Sequence, residues 1–161
     1  MINSMDVAAI SHYGQDHNSP LELRRKAGVL FSRALRRGRL RAFCYRLIGR
    51  EHRLRDLAQV AGHARQQPSP QTGIVHVPLA QIVGSENRVR DFDGAFNPLS
   101  EHHIDRWIGI AAARRRGTVL PPVDLIQAGD EYYVRDGHHR ISVARAAGQR
   151  EIEANILYVL A

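Results

Sequence analysis

Residues 136–148, DGHHRISVARAAG, set two histidines and an arginine between an Asp-Gly pair and a run of apolar and alanine positions. Asp136-Gly137 interrupts the strand-like EYYVR, and Ile141, Val143, Ala144 and Ala147 then recur at helical spacing up to a glycine stop at Gly148. The first turn of that helix carries His138, His139 and Arg140. It also exposes backbone N–H groups that have no intrahelical partner, at the positive end of the helix dipole. Amide donors, a forked guanidinium and imidazoles together make an anion site, and a phosphate is the expected guest of Gly137, His138, His139 and Arg140. The competing account is a simple cap, in which Asp136 accepts from the first-turn amides and the histidines are solvated.

The elements that must position this turn are legible around it. VDLIQ and EYYVR flank Ala128-Gly129-Asp130 as a β-hairpin, and IEANILYVL closes the chain as an apolar strand. Upstream, IVHVPLAQIV begins as a strand with Pro78 where a strand enters a loop or edge. A helix is predicted from Pro98-Leu99 to Arg116, with Ile104, Trp107, Ile108 and Ala111 inward and Gly117 as its stop. Strand, helix, hairpin, helix and strand in this order make an α+β layer structure.

The first half of the chain has another character. Residues 1–72 hold 13 of the 23 Lys+Arg but 5 of the 16 Asp+Glu, a balance of +8 against −1 for the remainder. Ser19-Pro20 marks a helix start, and Leu23, Ala27, Leu30, Phe31, Ala34 and Leu35 form one apolar face that Gly38 is expected to end. A second amphipathic segment holds Leu40, Phe43, Cys44, Leu47 and Ile48 up to Gly49, and a third holds Leu54, Leu57, Val60 and Ala61 up to Gly62. The expected organisation is therefore a frayed N-terminus over 1–18, a basic helical region over 19–62, a linker over 63–72 and an α+β domain over 73–161. Arg24, Arg25, Arg33, Arg36, Arg37 and Arg41 are the cations such helices would offer to an anionic partner, DNA or RNA or a membrane surface. The bland alternative is a solvated helical face, whose apolar side packs on the second half or on a second copy of the chain in a homodimer.

No apolar run approaches the ~20 residues that span a bilayer, and the opening residues lack a secretory pattern, so a soluble cytoplasmic protein is expected. Cys44 is the single cysteine, which excludes an intrachain disulfide and a thiolate metal cluster. There is no Gly-rich Lys-Ser/Thr loop and no dinucleotide-binding glycine fingerprint. His102-His103 are adjacent on a predicted helix and point about 100° apart, a poor arrangement for sharing a metal.

EYYVRDGHHRISVARAAGQREIEANI, with IVHVPLAQIVGSENRVRDF upstream, resembles the ParB/sulfiredoxin superfamily over about residues 74–158. The resemblance implies a small mixed sheet with packed helices, the ParB-like nuclease domain fold, here preceded by the basic helical extension. Sulfiredoxins carry a catalytic cysteine in Gly-Gly-Cys-His-Arg, and His138 stands in its place, so that reductase chemistry is excluded. Partition proteins of the superfamily bind CTP at the same helix start. Gly137 and Arg140 match their loop, and Asn87-Arg88 with Phe92 resemble their second motif. The ADP-dependent free-serine kinase branch is similar to Asp136-Gly137-His138-His139-Arg140 without a change. That branch implies Glu86 as the base for a substrate hydroxyl and Asp136 toward Mg²⁺, with Arg140 and the imidazoles on the phosphates. Phosphoryl transfer needs positioning and charge neutralisation more than covalent catalysis, which such a set would supply.

The expectation is a nucleotide or phosphate site, for CTP, ATP or ADP with Mg²⁺, at residues 136–140, faced by Glu86, Asn87 and Arg88. Glu86, Asp136 and His138 are its catalytic candidates. Nucleotide binding coupled to DNA or RNA binding, as in a regulator or nuclease, is the leading function. A Mg-dependent small-molecule kinase and an inactive interaction domain are the alternatives.

Overall fold

The computed structural model describes residues 19–50, 52–62 and 64–160, so the expectation for residues 1–18 lies outside the described residues. Ser19 opens α1 (Pro20–Leu47): its Oγ accepts from the Glu22 amide at 3.2 Å, and Pro20 takes the first helical position, where a missing N–H costs nothing. The helix runs 28 residues without a break at Gly38. A Cβ on Gly38 would stand 2.6 Å from the Pro98 carbonyl oxygen and 3.1 Å from Asn97 Cβ. Glycine is there because the helix backs onto the 97–98 backbone, a contact that sequence spacing does not reveal. The chain leaves α1 through Gly49, whose φ of +67° suits a residue without a side chain.

β1 (Arg55–Asp56), α2 (Leu57–Ala61), β2 (Gln66–Pro68), β3 (Val75–Pro78), a 3-10 turn (Leu79–Gln81) and β4 (Ile82–Ser85) follow. Next come α3 (Ile104–Arg115), β5 (Val123–Ala128), β6 (Glu131–Asp136), α4 (His138–Ala146) and β7 (Glu151–Leu160). The expected third helix is thus short, because Asp56 caps it with a side chain that accepts from the Ala58 amide, while Arg55–Asp56 pair with β4. α3 starts later than its sequence pattern, at Ile104, because residues 92–98 are folded around Asp93. That buried carboxylate accepts from the Ala95 and Asn97 amides and from Asn97 Nδ2.

One seven-stranded mixed sheet, in the order β1-β4-β6-β5-β7-β2 with β3 also on β7, carries the fold. β5 and β6 form the expected antiparallel hairpin, and β7 runs parallel to β5. The sheet takes strands from both sides of the proline-containing stretch at 63–72, and β2 within that stretch pairs antiparallel with the end of β7. Leu125, Val134, Ile156, Ile141 and Ala144 pack between one sheet face and α4. On α4 lie α3 and α1, whose Leu23, Ala27, Phe31 and Ala34 enclose Trp107 and Ala111. Phe31 meets Trp107 edge-on at 5.4 Å, and the Trp107 Nε1–H donates to Ser142 Oγ at 2.9 Å. The apolar face of α1 is therefore buried inside this chain. Leu57, Ile126 and Tyr133 form a smaller cluster on the other sheet face. Among the described residues the architecture is α+β, with four helices and a mixed sheet.

Candidate anion-binding site

Gly137 joins β6 to α4 with a φ of +101°, the left-handed conformation that an L side chain resists. A Cβ there would also lie 2.5 Å from Val123 Cγ1, so the turn is tight against β5. No side chain caps α4. Asp136 does not perform that role, because its carboxylate accepts from Arg140 Nη2 at 2.6 Å. The Arg140 Nη1 group donates to the Pro121 and Pro122 carbonyls at 2.6 and 2.7 Å. Arg140 thus ties the strand end, the helix start and the loop before β5 together.

His138 is buried, 3% exposed, and its Nε2 lies 2.7 Å from Ser85 Oγ. That hydroxyl accepts from the Asn87 and Arg88 amides at 3.1 and 2.9 Å. With both lone pairs used, its single proton points to Nε2, so His138 is neutral with its hydrogen on Nδ1. Burial, with Arg88 and His139 nearby, holds this imidazole down at about 4. Burial, followed by His103 and Arg106, holds His139 at about 4 as well. His139 meets the rings of Phe92 at 5.6 Å and His103 at 5.2 Å, both edge-on. At neutral pH neither imidazole brings positive charge to the turn. Ser85 looks at first like a nucleophile beside a base, but it is fully buried and serves as the tether between β4 and α4.

The charge comes from arginines. Arg88 from the loop after β4, Arg106 from α3 and Arg140 from α4 line one small cleft, of about 20 Å³, with Ile110, Asp136, Gly137, His138 and His139. Arg88 shares Asp91 at 3.2 Å, and Arg140 holds Asp136, whereas Arg106 has no ion-pair partner among the described residues. Neither Ser85 nor Arg106 was singled out by sequence reasoning. The strand-ending position of Ser85 before Asn87-Arg88 is a weak turn signal, and Arg106 carries none.

Two expected residues stand apart from the cleft. Glu86 pairs with Arg135 at 3.6 Å, and the Arg135 guanidinium lies over the Tyr158 ring at 5.0 Å, beside the smaller cluster on the sheet face away from α4. Asn87 is exposed and uses its amide on Ser85. Asp136 offers one carboxylate, which meets the needs of Mg²⁺ only together with a ligand's own phosphates. No cluster of three His, Cys, Asp or Glu suited to a metal occurs among the described residues.

Of the α1 arginines, Arg24 reaches Asp105 at 3.9 Å and Arg25 holds Glu22 at 2.8 Å. Arg33, Arg36, Arg37 and Arg41 are exposed and have no ion-pair partner among the described residues. No described helix is long and apolar enough to cross a membrane.

No family model matches the chain, and no curated protein matches it. Among solved structures, the crystal structure of sulfiredoxin from Arabidopsis thaliana is similar, with 24% identity and a TM-score of 0.41 over 53% of this chain and 84% of that one. At that level nothing of sulfiredoxin's chemistry passes to this chain.

Proposed function

We propose that this protein binds the phosphate of a small ligand, a nucleotide such as CTP, ATP or ADP, in the cleft at the start of α4. The free arginines of α1 would engage an extended anionic partner, for which DNA or RNA is the expectation from sequence. The supporting observation is the convergence of Arg88, Arg106 and Arg140, from three separate elements, on an uncapped helix N-terminus. Four-centre chemistry of this kind recognises phosphate by charge, by forked donors and by backbone amides together. Arg106 is the cation of the set without an ion-pair partner among the described residues, and Arg88 exchanges an exposed partner for the ligand at little cost. The neutral histidines shape the cleft and leave the charge to the guanidinium groups. No catalytic step is assigned, because Glu86 is engaged by Arg135 and His138 by Ser85. A kinase or nuclease reading requires Glu86 to leave Arg135 for the cleft.

Thermal stabilisation by CTP, ATP, ADP and inorganic phosphate, each with and without Mg²⁺, tests the reading. A ligand at 100 times its Kd should stabilise the fold by about 2.7 kcal/mol. The shift should disappear in Arg106→Ala and shrink in Arg88→Ala. Arg140→Ala is a poor probe, since that side chain holds the loop before β5. No shift with any of these anions would sink the proposal, and a shift that survives both substitutions would place the ligand elsewhere.

A further inference from the structure

The last three turns of α1 present charge and apolar surface together. From Arg39 to Leu47 no residue is buried, although the preceding turns pack on α3. Leu40 is 60% exposed, Phe43 59%, Leu47 71% and the following Ile48 64%. Leu40, Phe43 and Leu47 are spaced i, i+3 and i+7, so they form one stripe on the helix. The stretch that contains this end, RRGRLRAFCYRLIGR at 36–50, has six arginines and no acidic residue. Only Arg39 among them has an ion-pair partner within the described residues, Glu101 at 3.2 Å.

We infer that this overhanging end of α1 docks on an anionic lipid surface. The inference keeps the extended anionic partner of the α1 arginines but puts a lipid surface in place of the nucleic acid expected from sequence, while the cleft at α4 is independent of it. A second copy of the chain is disfavoured as the occupant: a face-to-face contact would oppose six arginines with six more and bring no carboxylate from the segment. Nucleic acid would satisfy the guanidinium groups on its phosphates but leave the leucine, phenylalanine and isoleucine side chains without a counterpart. An anionic bilayer interface satisfies both. Arginines reach headgroup phosphates from flexible stems, while Leu40, Phe43, Leu47 and Ile48 enter the boundary of the acyl chains. The helix then lies on the membrane, in keeping with a segment too short and too charged to cross it.

Sedimentation of the full chain with vesicles tests this, using phosphatidylcholine alone and phosphatidylcholine mixed two to one with phosphatidylglycerol. Binding is expected only to the anionic vesicles. It should fall more than tenfold in Leu40→Ser/Phe43→Ser/Leu47→Ser, which keeps every charge, and also in Arg36→Glu/Arg37→Glu. Phe43→Trp supplies a check that does not depend on multiple substitutions, and its emission should shift to the blue with anionic vesicles and stay unchanged with neutral ones. Absence of vesicle binding, or undiminished binding by the triple-serine variant, overturns the inference. So do duplex or single-stranded DNA binding in place of vesicle binding, and a concentration-dependent dimer that the triple-serine variant abolishes. The nucleotide-induced thermal shift should persist in all these variants. Failure at the membrane and failure at the cleft are thereby read separately.

Discussion

Acidification should destabilise this protein through His138 by an amount that can be worked from its surroundings. The folded chain holds this imidazole at about 4, whereas the same group in an unfolded chain titrates near 6.5. Between those values the unfolded chain binds a proton that the folded one refuses, so stability rises with pH. The contribution is fully present above about pH 6.5 and is lost progressively as the pH falls toward about 4. Between about pH 7 and about pH 4.5 the loss attributable to His138 is about 2 kcal/mol. His138→Gln keeps an acceptor for the Ser85 hydroxyl and removes the titration. Urea unfolding of both proteins across this range should therefore show the wild-type midpoint falling further than that of the variant. The extra fall should be about 1 M, given the denaturant slopes usual for small domains. Parallel decline of the two midpoints would refute the reasoning, since it would mean that His138 accepts its proton in the folded state as readily as in the unfolded one. His139 is close enough that its substitution should not add independently to that of His138.

Two glycines give opposite tests of local and tertiary rules. Gly38→Ala should gain up to about 1 kcal/mol by helix propensity alone. The space against Pro98 instead predicts a net loss of about 1–3 kcal/mol, read as a lowered unfolding midpoint; a gain would mean that α1 does not back onto residues 97–98. Gly137→Ala adds left-handed strain to a collision with Val123 and should cost about 2–4 kcal/mol in the same assay. A neutral effect would remove the tight turn that presents the start of α4.

The β5–β6 hairpin, α4 and β7 could be read from the sequence because each rests on local chemistry: glycine turns, alternating burial and helical spacing. The core of α3 was legible in the same way, with Trp107 and Ala111 buried as their spacing requires. Gly38 was misread as a stop because the signal for a helix end and the signal for close packing are the same residue. The site divides along similar lines. Gly137 and Arg140 were visible as parts of an unusual helix start, and the structure places both there with His138 and His139. What those groups touch was not visible. Arg140 turns to Asp136 and two carbonyls, His138 to Ser85, and Glu86 to Arg135, through contacts between residues up to 53 positions apart.

The sequence by itself determined the α+β class, the turn at residues 136–140 and the concentration of positive charge in the first half, since periodicity, glycine and charge act over a few residues. Only the tertiary structure decided which cations meet at the turn, that its histidines are neutral, and that α1 buries one face while leaving its last turns exposed. Burial and pairing depend on which distant segments the sheet and the helix layers bring together, and no local pattern encodes that distance.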